Sequence, residues 1–171
     1  DSGTWLQTAY LKPTNSDIND QFGSSVAIQD GLAVVAAPRE DSSGQGLNRD
    51  MHTNDAADSG AAYVFGVTNS DTWNEVTYIK AENPQAGATF GANMGFDNND
   101  LVISAPLYDK GLLDNVGKAY LYFYNDDEWS LESQFVEEGE EDNARLGLGS
   151  AIYNGLIAVG VSGLDSAGVL L

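Results

Sequence analysis

The side chains best equipped for chemistry in this sequence are carboxylates, and they gather in stretches rich in Gly, Asn and Ser. Asp41, Asp50, Asp55 and Asp58 lie between residues 39 and 59, together with Glu40 and Asn54. Asp109 and Asp114 share a shorter stretch with Asn115, Asp17 and Asp20 precede Phe22, and five acidic residues fall between Glu137 and Arg145. Carboxylate and amide oxygens suit a divalent cation or the basic groups of a partner. The candidate binding set is therefore Asp17, Asp20, Asp41, Asp50, Asp55, Asp58, Asp109 and Asp114, with Asp41, Asp55 and Asp58 as the candidate cation loop. The plainer alternative for each of them is a solvated loop carboxylate with no fixed partner.

Other chemistry has less to work with. Twenty-six acidic residues against seven basic ones give a formal charge of −19, which repels nucleic acid and anionic lipid. There is no cysteine, so disulfides and thiolate metal sites are excluded. The one histidine, His52, stands in the long acidic stretch, and no nucleophile elbow, HExxH or phosphate-cradling pattern occurs. Paired carboxylates of the glycosidase kind remain open in so acidic a chain, but no pair stands out from its neighbours. Arg39, Arg49 and Arg145 are the only arginines that could hold an anionic substrate. The expectation is a binding protein with no catalytic residues and no cofactor. The apolar runs, such as 31–38 and 101–106, are too short to insert into a membrane.

The acidic stretches separate the members of an internal repeat, and the repeat must position them. Phe22-Gly23-Ser24-Ser25-Val26-Ala27-Ile28 aligns with Phe90-Gly91-Ala92-Asn93-Met94-Gly95-Phe96 at a shift of 68, and with Leu146-Gly147-Leu148-Gly149-Ser150-Ala151-Ile152 at a further 56. The same shifts superpose Val34-Val35-Ala36-Ala37-Pro38, Val102-Ile103-Ser104-Ala105-Pro106 and Ala158-Val159-Gly160-Val161-Ser162. They also superpose three Trp-led alternating segments, Trp5 to Leu11, Trp73 to Ile79 and Trp129 to Phe135. A fourth element recurs at looser spacing, at Gly60–Phe65, Gly117–Tyr122 and Gly168–Leu171.

Each unit thus predicts four short strands: A (22–29), B (32–37), C (60–65) and D (73–80) in the first. Asp30-Gly31, Asn98-Asn99 and Asn154-Gly155 fall between A and B, where a two-residue hairpin needs residues tolerant of positive φ. The tryptophans Trp5, Trp73 and Trp129, one per unit, are expected to pack between or within units. The divisions are an outer strand and connecting loop over 1–21, one unit over 22–80, a second over 90–136, and an incomplete third over 146–171.

Phe22-Gly23 with Ala36-Ala37-Pro38, and Phe90-Gly91 with Ser104-Ala105-Pro106, resemble the bacterial-type FG-GAP repeat, related to the integrin α-subunit propeller. The third unit departs from the pattern, with Leu146-Gly147 and Gly160-Val161-Ser162. The resemblance implies an all-β chain: a β-propeller of four-stranded antiparallel blades, about three of them here, with Phe22, Gly23, Pro38, Phe90, Gly91, Pro106, Leu146 and Gly147 as its structural signature. Three blades are fewer than the usual four to eight. A strand at Trp5 without its own A, B and C, and a third unit without D, allow closure by the N-terminal strand, but the low blade count favours a piece of a longer propeller or a ring of more than one chain. In calcium-binding members of the family the A–B loop cages the ion. A two-residue A–B turn cannot supply six or more oxygens, so calcium is not expected at that position.

By the same resemblance the B–C and D–A loops emerge on one face, the face that integrins use for ligand. The implied function is an extracellular or cell-surface recognition and adhesion module that binds a protein or glycan through that face. One alternative is a scaffold whose partners are further blades or copies of itself, a homo-oligomer included. The other is a polysaccharide-active enzyme.

Overall fold

The computed structural model describes residues 3–68, 72–139, 141–163 and 168–170. Eleven strands and no helix occur among them. They form three antiparallel sheets. Sheet I runs in the order β1 (Val26–Gln29), β2 (Leu32–Ala37), β3 (Ala61–Val67) and β4 (Trp73–Ile79). Sheet II repeats it as β5 (Asn93–Asp97), β6 (Asp100–Ala105), β7 (Lys118–Asn125) and β8 (Glu128–Val136). Sheet III has three strands, β9 (Ser150–Tyr153), β10 (Leu156–Val161) and β11 (Gly168–Leu170).

The recurrence extends to register. Val26 opposes Val35 and Asn93 opposes Ser104 across the A–B pairs, and both C–D pairs slip at one equivalent place, Val64/Phe65 and Leu121/Tyr122. Asp30 and Gly31 take φ of 48° and 78°, Asn154 and Gly155 take 50° and 74°, and Asn98 takes 54°. These residues turn the A–B hairpins as their types require.

The sheets stack face on face, with β1 beside β5 and β5 beside β9. Val34, Ala36, Ala62 and Val64 of sheet I meet Met94, Leu101, Ile103 and Tyr122 of sheet II in one apolar cluster. Val102 and Ala119 of sheet II meet Leu146, Val159 and Val161 of the third unit in another. Alternation explains this division, because residues two apart on a strand share a face.

The signature residues of the second and third units lie where one unit meets the next. Phe90 is fully buried and packs edge-on to Tyr120 and Tyr122 of its own sheet. Gly91, at φ 93°, brings its backbone against sheet I; a Cβ there would sit 2.9 Å from both the Ala36 methyl and the Ala61 carbonyl oxygen. Gly147 stands in the same relation to Ser104. Only a residue without Cβ can take this φ and this approach together. The glycine amide then donates within its own unit at 2.9 Å, 2.9 Å and 2.8 Å, from Gly23 to Ala36, Gly91 to Ser104 and Gly147 to Gly160. Pro38 and Pro106 are buried at the ends of β2 and β6.

Three expectations need correction. The segment from Trp5 to Leu11 forms no strand, and Trp5, Leu6 and Tyr10 are exposed. A D strand needs a C strand beside it; β3 and β7 already hold β4 and β8, and β11 pairs only with β10. Trp5 therefore does not pack as expected, whereas Trp129 is buried against Phe96 and Tyr124, and Trp73 joins the sheet I cluster. The A strand is shorter than 22–29, because Gly23 at φ 97° turns the chain before Val26. The third C strand is displaced by one residue. Gly168 opposes Val161 as Ala61 opposes Ala37, so it matches Ala61 and Lys118 rather than Gly60 and Gly117. Asp1, Glu140 and Leu171 lie outside the described residues.

Candidate functional site

Antiparallel order sends alternate connections to opposite ends of each sheet. The A–B turns and C–D turns emerge at one edge, the B–C and D–A loops at the other. At the second edge these loops are bonded to one another. Thr89 and Phe90 donate to the carbonyls of Asp58 and Ser59 at 3.1 Å and 2.9 Å, and Arg145 and Leu146 repeat this on Asn115 and Val116 at 3.0 Å each. Asn15 donates to the Met51 carbonyl at 2.7 Å, and Asn54 to Asp17 at 3.0 Å. The Gln85 side chain accepts from the Asp109 amide at 2.6 Å, and Asp142 accepts from the Asp114 amide at 2.8 Å. The acidic stretches therefore form a continuous, backbone-tied edge.

The candidate residues divide by what their oxygens already do. Asp41 accepts from the Asp58 amide at 2.7 Å, Asp50 from the His52 amide at 3.1 Å, and Asp109 from the Asn115 amide at 2.8 Å. These carboxylates shape their loops as local side-chain-to-backbone turns do. Asp17, Asp50, Asp55, Asp58 and Asp114 are exposed. Arg39 faces Asp58 at 4.0 Å with both side chains about half exposed, a geometry that contributes little. Asp20 differs from the rest. It is buried, and its carboxylate accepts from the Asp17 amide at 2.7 Å. Burial pushes its pKa up, the Asp17 amide opposes that, and the charges of Glu40, Asp17 and Asp41 add to the rise. Asp20 thus supports the edge from beneath.

Asp41, Asp55 and Asp58 are not drawn into a cluster. Among the described residues no group of three or more His, Asp or Glu side chains is arranged to hold a metal ion. His52 is exposed beside Thr14, Asn15, Asp17, Met51 and Asn54, which line a shallow cleft of about 270 Å³.

Beneath the edge of sheet I lies a network that the loop composition alone does not reveal. Glu40 and Lys80 are both buried and form an ion pair. Glu40 Oε2 also accepts from the Ser42 amide and hydroxyl at 3.1 Å and 3.0 Å and from the Tyr78 hydroxyl at 3.1 Å. Its Oε1 accepts from Asn15 at 3.0 Å, and Asn15 accepts in turn from the Tyr63 hydroxyl at 2.8 Å. Ser42 and Tyr78 share a further short hydrogen bond. Burial lowers the Lys80 pKa, with the Glu40 charge acting against it; burial raises Tyr63 and Tyr78, and the Glu40 charge adds to both.

The signal that could have exposed this network is Lys80 itself. It follows directly on β4, at the position where β8 ends on the apolar Val136, a mark of an inward position.

A family model described as FG-GAP repeat matches residues 5–65, from Trp5 through strands β1, β2 and most of β3. No curated protein matches the chain.

Proposed function

We propose, taking the FG-GAP repeat over residues 5–65 as the premise, that the chain is a non-catalytic recognition or adhesion module. Its three sheets are read as blades of a β-propeller, and its binding surface as the edge carrying the B–C and D–A loops. One observation carries the reading: loops from successive units are hydrogen-bonded into one edge that displays Asp17, Asp50, Asp55, Asp58 and Asp114. With 26 acidic residues against seven basic ones, such an edge favours basic groups on a protein or glycan, or a cation shared with the ligand. Placement outside the cell or on its surface follows from the repeat family rather than from any feature of the edge.

The test is a screen of peptide and glycan arrays with the wild-type chain, followed by Asp55→Ala, Asp58→Ala and Asp114→Ala variants. Binding should weaken with each substitution and with added salt while the fold persists. Binding that survives all three changes together contradicts this edge as the site.

A second reading, a scaffold that docks further blades, is favoured by its own observation. Val26 and Ile28 are 68% and 72% exposed, although their counterparts Met94 and Phe96 pack against sheet I. Leu156 and Val169 are 74% and 60% exposed in sheet III. A faced-off blade of the same repeat would cover such residues as sheet I covers Met94. Native mass spectrometry separates the readings. An oligomer dispersed by Val26→Lys with Ile28→Lys supports docking, and a monomer throughout contradicts self-association.

A further inference from the structure

Glu40 and Lys80 form the only fully buried ion pair among the described residues, and the hydrogen bonds around them run mainly to loops. Ser42 and Asn15 reach the carboxylate from the B–C and D–A loops. The Glu40 carbonyl accepts from the Gly60 amide at 2.9 Å and the Ser59 hydroxyl at 3.3 Å, closing the far end of the same loop. The pair therefore joins the start of the 39–59 loop to the 14–21 loop, and the backbone of Glu40 holds the far end of the 39–59 loop.

The repeat supplies a comparison within one molecule. Sheet II has Tyr108 where sheet I has Glu40, and Val136 where it has Lys80, yet it forms the same four strands in the same register. The sheet does not need the pair. A buried pair is also a poor source of stability, because desolvating both charges offsets most of their attraction. What distinguishes sheet I is its longer B–C loop, in which Leu47, Met51, Ala56 and Ala57 are the only apolar side chains between Arg39 and Ser59. Such a loop has little apolar surface to bury and must be ordered by other means.

We propose that the Glu40–Lys80 pair is a latch that fixes the conformation of the 14–21 and 39–59 loops, and so sets the positions of Asp17, Asp41, Asp50 and Asp58 at the acidic edge. Glu40 and Lys80 are positioning residues that no ligand need touch. The functional meaning of the latch rests on the acidic-edge reading, but the latch itself can be tested without any ligand.

The experiment is amide hydrogen exchange on the wild type, on Glu40→Met with Lys80→Met, and on Glu40→Gln. The double substitution replaces the pair by apolar groups of similar reach, which buried pairs often tolerate. The amides to follow are those of Asp17, Ser43, Ala56 and Asp58, which bond to loop atoms other than the Glu40 carboxylate. In the double variant they should exchange at least about tenfold faster, while Val34 and Val64 in β2 and β3 keep wild-type protection. Glu40→Gln, which retains an acceptor for Asn15 but leaves Lys80 buried without its counter-charge, should loosen the same amides at least as much. If the double variant fails to fold, Glu40→Gln alone decides on the same amides. Wild-type loop protection in a folded variant overturns the latch, and so does equal loss over loops and strands. Loosened loops with undiminished ligand binding would leave the latch standing and contradict only the acidic-edge reading.

Discussion

Sheets I and II share strand order, turn chemistry and a bulge at one equivalent place, yet they anchor their B–C loops by opposite means. Sheet I buries Glu40 against Lys80 beneath a loop spanning residues 39–60. Sheet II closes a shorter loop, 106–117, with aromatic packing. There the Lys118 ammonium lies 4.9 Å and 5.0 Å from the ring centres of Tyr108 and Tyr120. The contrast separates two jobs that one four-stranded sheet performs. The strands and the Phe-Gly contact build the stack, and the residues after the buried proline decide which loop the stack can carry.

The largest test of that contrast is removal of one charge. Glu40→Ala leaves Lys80 buried without its counter-charge and should cost about 3–5 kcal/mol. Its positional counterpart, Tyr108→Ala, loses partly buried packing and a cation–π contact and should cost about 1–2 kcal/mol. Chemical denaturation of both variants measures the difference. Equal costs would mean that the two loops are anchored with equal weight.

Next comes the element that the two sheets share. Gly91→Ala forces a side chain into the left-handed φ of 93° and against Ala36 and Ala61, and should cost about 2 kcal/mol or more. Gly147→Ala, pressed on Ser104, should follow it in thermal melts. A neutral result at either position would break the claim that these glycines set the spacing between units.

A smaller effect concerns Asp20. Its folded-state pKa is raised above 3.8, chiefly by burial, with Glu40, Asp17 and Asp41 as the neighbouring charges. The protonated form is therefore favoured in the fold. Its contribution is fully present below 3.8 and is lost as pH rises through the raised value. Asp20→Asn should remove that dependence, so wild type should lose melting temperature relative to the variant as pH rises above 3.8. Parallel profiles would contradict the assignment. The smallest effects belong to Asp55→Ala and Asp114→Ala, which should change stability by no more than about 0.5 kcal/mol. Larger losses would make these acids structural.

Much of this architecture is legible in the residues. The two shifts place Phe22-Gly23, Phe90-Gly91 and Leu146-Gly147 at equivalent positions, and the Asp-Gly and Asn-Gly pairs announce their hairpins. The lack of a strand at Trp5 was not legible, because a strand exists only beside a partner and alternation within one segment cannot show whether that segment pairs. The acidic edge was legible in part. Asp17, Asp58 and Asp114 lie exposed on it, but Asp20 is buried, since position in a loop does not report depth. Burial of Glu40 among equally acidic neighbours depends on Lys80, 40 residues away, a pairing that no local pattern encodes.

The most direct test of the account is backbone amide shift mapping with the tightest ligand found on the arrays. The account predicts shifts in residues 14–21, 39–59, 107–117 and 137–146, with the hairpin turns at 30–31, 98–99 and 154–155 unmoved. Shifts centred on those turns, or saturable binding that leaves the acidic loops unmoved, would contradict it.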